Sequence, residues 1–578
     1  MAQDSLNELF SRYIVKGDHQ SSDYFKVIRG ILGFSEDELN EDEKQTKLNE
    51  VYRFIEDEIV NVSEPSKVKV SFGTSGWRGF LGKEINVQTV SSVTSAIVQI
   101  YQEIAQEPEL QEHLHLKSFD EVKKRGCVVG HDNRFAGPIL SAAVVSVLVD
   151  NDITVYYAGE STTGVLSASV LELGAAFSIN LTPSHNPLEY GGYKFNAADA
   201  GPAASAVTQL ITQKSNEILS LNTTYKPLDL PKLLNSDKVQ EIDSLLLWQN
   251  FVKKNQPIHT LNLEELRNKI LSQKEDLFIV IDSVHGASRL HMQEILGQDA
   301  GKEFHILRDN ADVTFGGIAP EPSSSNLKHV NRILKSSEKH LKLGAIIDPD
   351  GDRIRFSDGT CEISMNQFGA MSYHFLCTYK KVRGPVAKTV ATSNFANQIA
   401  TVLGEEVYES RVGFKEFKPV IGQAVVLFEE SDGISIIGHT PEKDAYIGLV
   451  LALEMMFVTG ETLGQYLERI ESEFGAFYPE KDSVSVTVQG EKLLNILGGL
   501  EEYRVGDSIQ VGDHLREIAE IINIDGYKIV FQDGSWLMIR PSGTEPKVRF
   551  YVESRDAEGT AALVETAKEL LKKVGVLD

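Results

Sequence analysis

Cysteine is scarce: Cys127, Cys361 and Cys377 are the three present, an odd number without Cys-x-x-Cys spacing. This excludes a disulfide framework, gives no zinc-ligand pattern, and fits a reducing cytoplasm best. Positive charge is also short, with 57 Lys+Arg against 83 Asp+Glu and a formal net charge of -26. Such a surface repels phosphate backbones and anionic lipid headgroups. Neither nucleic acid nor a membrane is therefore an expected partner, and an anionic small molecule needs a local basic or amide-rich site. No apolar run approaches a membrane span, and "MAQDSLNELF" has no basic segment followed by an apolar core, so no span or signal peptide is expected. Low-complexity segments and short tandem repeats are absent as well.

What is present suits a soluble globular protein. The chain has 578 residues, 42% hydrophobic and 24% charged, more than one core usually organises, so about three or four domains are expected. Residues 1–65 are helix-patterned, and "LNEVYRFIEDEIV" puts Val51, Phe54, Ile55, Ile59 and Val60 on roughly one face. Apolar β-rich runs then end abruptly in polar, Gly-containing loops: "GCVVGHDNR", "AAFSINLTPSHNP", "LFIVIDSVHGAS", "LGAIIDPDGDR". Amphipathic segments such as "SNLKHVNRILKSSEKHL" alternate with them, the pattern of doubly wound α/β sheets with chemistry beyond the carboxyl ends of strands. The last hundred residues differ. "SVSVTVQG", "GYKIVFQDGSWLMIRPSG" and "KVRFYVES" predict antiparallel strands before a closing helix, "TAALVETAKELLKKVG". Domain boundaries are expected near 247–262 and 474–483.

Four loops carry candidate chemistry. "DPDGDR" sets Asp348, Asp350 and Asp352 at alternate positions, a tight group of hard oxygen ligands for a cation such as Mg2+. Arg353 and Gly359 stand where an EF-hand needs Gly and Glu, which leaves a strand-end metal loop or a solvated acidic turn. In "NLTPSHNPLEYGGYKFN", Ser184 lies between two prolines beside His185. No GxSxG is present, so a hydroxyl near a divalent cation suits phosphoryl chemistry better than a Ser-His relay. "IRPSGTEPKVR" offers Arg540, Ser542, Gly543, Thr544, Lys547 and Arg549, a donor set fit for a phosphate dianion or else a polar turn. "FEESDGISIIGHTPEKDA" holds Glu429, Glu430 and Ser431, able to meet vicinal hydroxyls, with His439 before a second charged cluster.

These four loops, in this order over about residues 70 to 555, resemble the α-D-phosphohexomutase superfamily of phosphoglucomutases and phosphomannomutases. The phosphoserine loop is matched by Thr182, Ser184, His185, Asn186, Pro187, Gly192 and Lys194, and the metal loop by Asp348, Asp350, Asp352 and Arg353. Glu429 and Ser431 match the sugar loop, and R-P-S-G-T-E-P is intact from Arg540. "FGTSGWRG", with Thr74, Ser75 and Arg78, is similar to the family's opening motif, and "RVGFK", with Arg411 and Lys415, to its V-G-x-K segment. Two departures stand out. Phe428 replaces a common glycine, and the usual histidine after Ser431 is missing. His439, ahead of Lys443 in "HTPEKDA", resembles the histidine that precedes E-K-D in other members, and the resemblance implies an acid/base role for it.

The resemblance implies three related α/β domains with mixed sheets plus a smaller C-terminal α+β domain around one cleft. The expected division is a helical extension 1–65 joined to a phosphoserine domain 66–250, a metal domain 251–362, a sugar domain 363–478 and a phosphate domain 479–578. It also implies Mg2+ held by Ser184 and the three aspartates, Ser184, His185, Lys194, Arg78 and His439 as catalytic residues, and Thr74, Ser75, Arg353, Arg411, Lys415, Glu429, Ser431, Lys443, Arg540, Ser542, Gly543, Thr544 and Arg549 as substrate contacts. The implied reaction interconverts hexose 1-phosphate and hexose 6-phosphate, most simply of glucose, through a phosphoserine and a hexose 1,6-bisphosphate. Mannose or pentose specificity is an alternative, as are a metal-dependent phosphosugar phosphatase and a non-catalytic phosphosugar-binding protein. A cytoplasmic monomer or homodimer is expected.

Overall fold

The computed structural model describes residues 2–61, 67–226, 229–297, 304–542 and 547–577. Among them are four sheets of seven, five, four and six strands. In the first, Cys127–His131 runs parallel to Phe177–Leu181 and Val155–Glu160, while Tyr190–Asn196 returns antiparallel beside Phe177–Leu181. The second repeats this arrangement. Leu341–Ile347 is parallel to Leu277–Asp282 and antiparallel to Ile354–Ser357. So does the third, with Val426–Glu429 parallel to Val386–Thr389 and antiparallel to Gly433–Ile436. The fourth is antiparallel, and its strands Trp536–Pro541 and Lys547–Ser554 are paired neighbours. Each candidate loop is thus a hairpin return. A buried strand delivers it to a sheet end, and an antiparallel strand anchors its far side.

The cores explain why the loops hold their places. The N-terminal helices Ala2–Tyr13, Tyr24–Leu32 and Glu41–Val60 pack into one apolar core with the first sheet. Val51, Ile55 and Ile59 are buried as expected, but Phe54 and Val60 are 36% and 38% exposed, and Leu48 and Tyr52 fill the face instead. Period 3.6 carries Phe54 off the stripe, where it stacks on Tyr24 at 5.8 Å. The second and third sheets share a core, through which the almost wholly apolar helix Ala445–Thr459 runs.

The structure refines two sequence expectations. Residues 247–262, expected near a domain boundary, are largely helix, within Ser244–His259. Leu245, Trp248, Phe251 and Val252 form its buried stripe, whereas Pro257 sits near the end, where its helix-breaking character suggests a linker. The first C-terminal strand is Tyr478–Ser485, earlier than "SVSVTVQG", and Glu491–Leu497 is helical. The closing helix is Ala557–Lys573. No single described helix is long and apolar enough to cross a bilayer.

Candidate active site

Strand Phe177–Leu181 is buried throughout and ends at Thr182 and Pro183. Ser184 follows with φ +57°, a left-handed conformation uncommon outside glycine. Local hydrogen bonds support it: the Ser184 N–H donates to Thr182 Oγ1 at 2.9 Å, and that hydroxyl donates to Asp132 Oδ2 at 2.7 Å. Gly192 closes behind the loop, since a Cβ there would lie 2.3 Å from the Thr182 carbonyl oxygen. The Ser184 hydroxyl points into the metal loop, donating to Asp348 Oδ2 at 2.7 Å with Asp352 Oδ1 at 3.3 Å. His185 Nδ1 is 3.4 Å from the same hydroxyl. Burial, with Arg353 and Arg78 nearby, holds that imidazole well below the usual histidine range.

Asp348, Asp350 and Asp352 are all buried and offer oxygens within 4.8 Å of one another. Gly351 takes φ +62° in the turn between them. Burial and its two carboxylate neighbours push the Asp348 carboxyl well up. Asp352 goes the other way: burial opposes its charge, but Lys194, Lys443 and Arg353 outweigh it. The Lys194 ammonium lies 2.5 Å from Asp350 and 2.7 Å from Asp352. Burial works against its charge, yet those carboxylates hold it well above the lysine range. Asp350 Oδ1 remains buried with no hydrogen-bond partner among the described residues, which is expensive unless a cation fills the place. The donor set therefore fits a hard divalent cation.

Lys443 ties the metal loop to the sugar loop, 3.3 Å from Asp352 and 3.7 Å from buried Glu429. Ser431 sits in the hairpin turn just before Asp432 (φ +70°), and Arg355 forks onto Asp432 at 3.1 and 2.7 Å. Arg78 is half-buried, and burial with Arg353 nearby lowers it to about 10. Thr74 and Ser75 turn between Phe72–Gly73 and Gly76–Phe80; Thr74 faces Gly413, whose added Cβ would meet its methyl at 3.2 Å. The first domain and the "RVGFK" segment thus meet, with Arg411 exposed and Lys415 partly buried, its ammonium lowered by burial.

At the fourth loop Ser542 N–H donates to the Lys547 carbonyl at 2.9 Å, and Arg540 lies opposite Arg549 in register. Gly543 and Thr544 lie outside the described residues. Asp525 accepts from Arg540 Nε and from the Val412 N–H, both at 2.9 Å, which joins the phosphate loop to "RVGFK". Sequence reasoning missed Asp525. It also missed Thr163, whose hydroxyl donates to Asp350 at 2.7 Å, and buried Glu442, which accepts from Asn196 at 3.3 Å. The signal for Asp132 and Arg134 lay in "GCVVGHDNR", a strand-then-loop unit with no chemistry assigned.

His439 is fully buried, with Nε2 2.7 Å from Asp444 Oδ2 and its ring against Trp248 and Phe251. Trp248 Nε1 donates to the same Asp444 oxygen at 2.6 Å. These partners take up the His439 Nε2 at the start of helix Ala445–Thr459, where the histidine acts as an anchor of that helix. His439→Ala is expected to cost about 1–3 kcal/mol of stability, from the exposed half of a buried hydrogen bond. Turnover at 25 °C should stay within roughly tenfold of the parent. Urea unfolding beside initial rates checks both.

Four family models match the chain: phosphoglucomutase/phosphomannomutase α/β/α domain I at residues 69–221, domain II at 260–361, domain III at 364–474 and the C-terminal domain at 503–570. The chain belongs to the phosphoglucomutase/phosphomannomutase family. The phosphoglucosamine/phosphogalactosamine mutase of Sulfurisphaera tokodaii is 23% identical over 508 residues, 87% of this chain and 99% of that protein. The phosphomannomutase of Mycoplasma genitalium is 25% identical over 547 residues, 87% of this chain and 91% of that protein. The open form of the Paramecium phosphoprotein pp63/parafusin, a phosphoglucomutase, superposes with a TM-score of 0.66 at 20% identity, covering 88% of this chain and 96% of that one. Members of the phosphoglucomutase/phosphomannomutase family are mutases, isomerases that transfer a phosphoryl group within one substrate, and this chain is an enzyme of that kind. The expected four-domain architecture is borne out. The helices up to Val60 lie outside the matched residues.

Proposed function

We propose that this mutase interconverts glucose 1-phosphate and glucose 6-phosphate, with Ser184 as phosphoryl carrier and glucose 1,6-bisphosphate as the intermediate. The supporting observation is the buried Ser184 hydroxyl, 2.7 Å from Asp348 in a cluster of three carboxylates. In the forward half-reaction the P–Oγ bond of phosphoserine breaks as the sugar O6 bonds to phosphorus, and the O6 proton passes to His185. The bisphosphate then turns around and returns its other phosphoryl group to Ser184. Mg2+ held by Asp348, Asp350, Asp352 and a phosphoserine oxygen would offset the charge of the transferred group. Lys194 and Arg78 flank that group, Lys443 holds the metal and sugar loops together, and Arg353 lies beside Asp352 as a substrate contact. Glu429 and Ser431 are read as contacts to sugar hydroxyls. The four domains accordingly divide the labour into phosphoserine, metal, sugar and distal phosphate. With three free cysteines, the enzyme is assigned to the reducing cytoplasm.

The test is turnover on glucose, mannose, glucosamine and pentose 1-phosphates with catalytic bisphosphate, beside intact mass for a phosphorylated fraction. Preference for another sugar would overturn the glucose assignment. Absence of turnover on all four would overturn the reading itself.

The distal clamp gives a separate expectation. Arg540→Ala deletes charge-assisted hydrogen bonds worth roughly 1.5–3 kcal/mol, so apparent affinity for glucose 1-phosphate should weaken by about ten- to a hundredfold. Serine phosphorylation should largely survive, and more added bisphosphate should be needed for sustained turnover. Unchanged affinity and bisphosphate demand would favour a phosphatase, which has no need of a second phosphate site.

A further inference from the structure

We propose that Arg134 is a positioning residue that sets the backbone of the serine loop. Arg134 follows strand Cys127–His131 and is 6% exposed. Its guanidinium carries five N–H donors in a fixed fork, and each has an acceptor. Nε donates to Asp132 Oδ2 at 3.3 Å. Nη1 donates to the carbonyls of Pro187 at 2.8 Å and Tyr190 at 3.3 Å, and Nη2 to those of Ser184 at 2.9 Å and Asn186. One side chain therefore grips four carbonyls of the hairpin return that presents Ser184. Asp132 completes the device, since it also receives the Thr182 hydroxyl that caps the Ser184 N–H. Phe315, from the segment preceding the metal-loop strand, lies 4.9 Å from the guanidinium and closes the far side.

The left-handed Ser184 backbone explains why such a clamp is needed. A non-glycine residue in that region persists where its surroundings over-determine it, and prolines at 183 and 187 narrow the loop's freedom without selecting this state. Arg134 selects it through carbonyls on both sides of His185. Lysine, a point charge with three donors, cannot reproduce the fork.

The kinetic part rests on the mutase reading; the backbone part does not, and the experiment separates them. Arg134→Ala and Arg134→Lys are compared with the parent by hydrogen exchange, melting temperature and kinetics. Exchange in peptides spanning 183–190 should rise about tenfold or more in both variants, while strand Cys127–His131 stays protected. A misplaced nucleophile should cost on the order of a hundredfold in kcat, with KM for glucose 1-phosphate within about threefold. Added guanidinium should restore part of the Arg134→Ala rate. Unchanged loop exchange in Arg134→Lys, or a rise in KM with kcat intact, would overturn the proposal. A parent without mutase turnover would sink the mutase reading while leaving the exchange result to decide the clamp.

Discussion

Ser184→Ala is expected to fold normally and to lose mutase turnover by about 10^4-fold or more, the scale seen when a covalent nucleophile is removed. Deleting one oxygen creates little void, and the contacts on the loop use the backbone carbonyl and N–H of residue 184, which alanine retains. What disappears is the hydroxyl that meets Asp348 and Asp352, and with it the atom that forms the phosphoester. Circular dichroism should match the parent, and intact mass should show no added phosphate. Turnover near the parent's level would eliminate Ser184 as carrier.

The loops were legible because each is a polar interruption between two apolar strands, and strands buried on both faces are written into the sequence as short, near-continuous apolar runs. Ser184 and the three aspartates stood out by density of chemistry, and the structure brings them together across 164 residues of chain. The misreadings have physical causes too. The boundary expected near 247–262 falls on a buried helix whose stripe, Leu245 to Val252, was present in the letters. His439 looked available because it neighbours Glu442 and Lys443, yet a histidine beside Trp248 and Asp444 is claimed by the core. Arg134 and Asp525 act through tertiary hydrogen bonds to backbone groups and Asp132 through the Thr182 hydroxyl, and no local spacing encodes which partner a side chain will find.

Removing divalent metal is expected to abolish turnover reversibly, with a second readout independent of activity. Three buried carboxylates this close repel one another. Without a cation the cluster relies on Lys194 against Asp350 and Asp352, on Lys443 against Asp352 and on a proton favoured at Asp348. A carboxyl whose folded pKa is raised contributes stability present below its unfolded value, which is lost as pH rises through the folded one. Above that range the cluster needs another positive charge, and Asp350 Oδ1 is the buried oxygen left to receive it. Mg2+ at a hundred times its dissociation constant should then stabilise the fold by about 2.7 kcal/mol. The stabilisation should be larger at pH 8 than at pH 5, where protons compete for the same oxygens. Asp350→Ala should remove most of the Mg2+-dependent rise in melting temperature while leaving Lys194 its contact with Asp352. Full activity in excess EDTA with no metal in the protein would rule out the site, and a melting temperature equally indifferent to Mg2+ in parent and variant would rule it out independently of any assay for turnover.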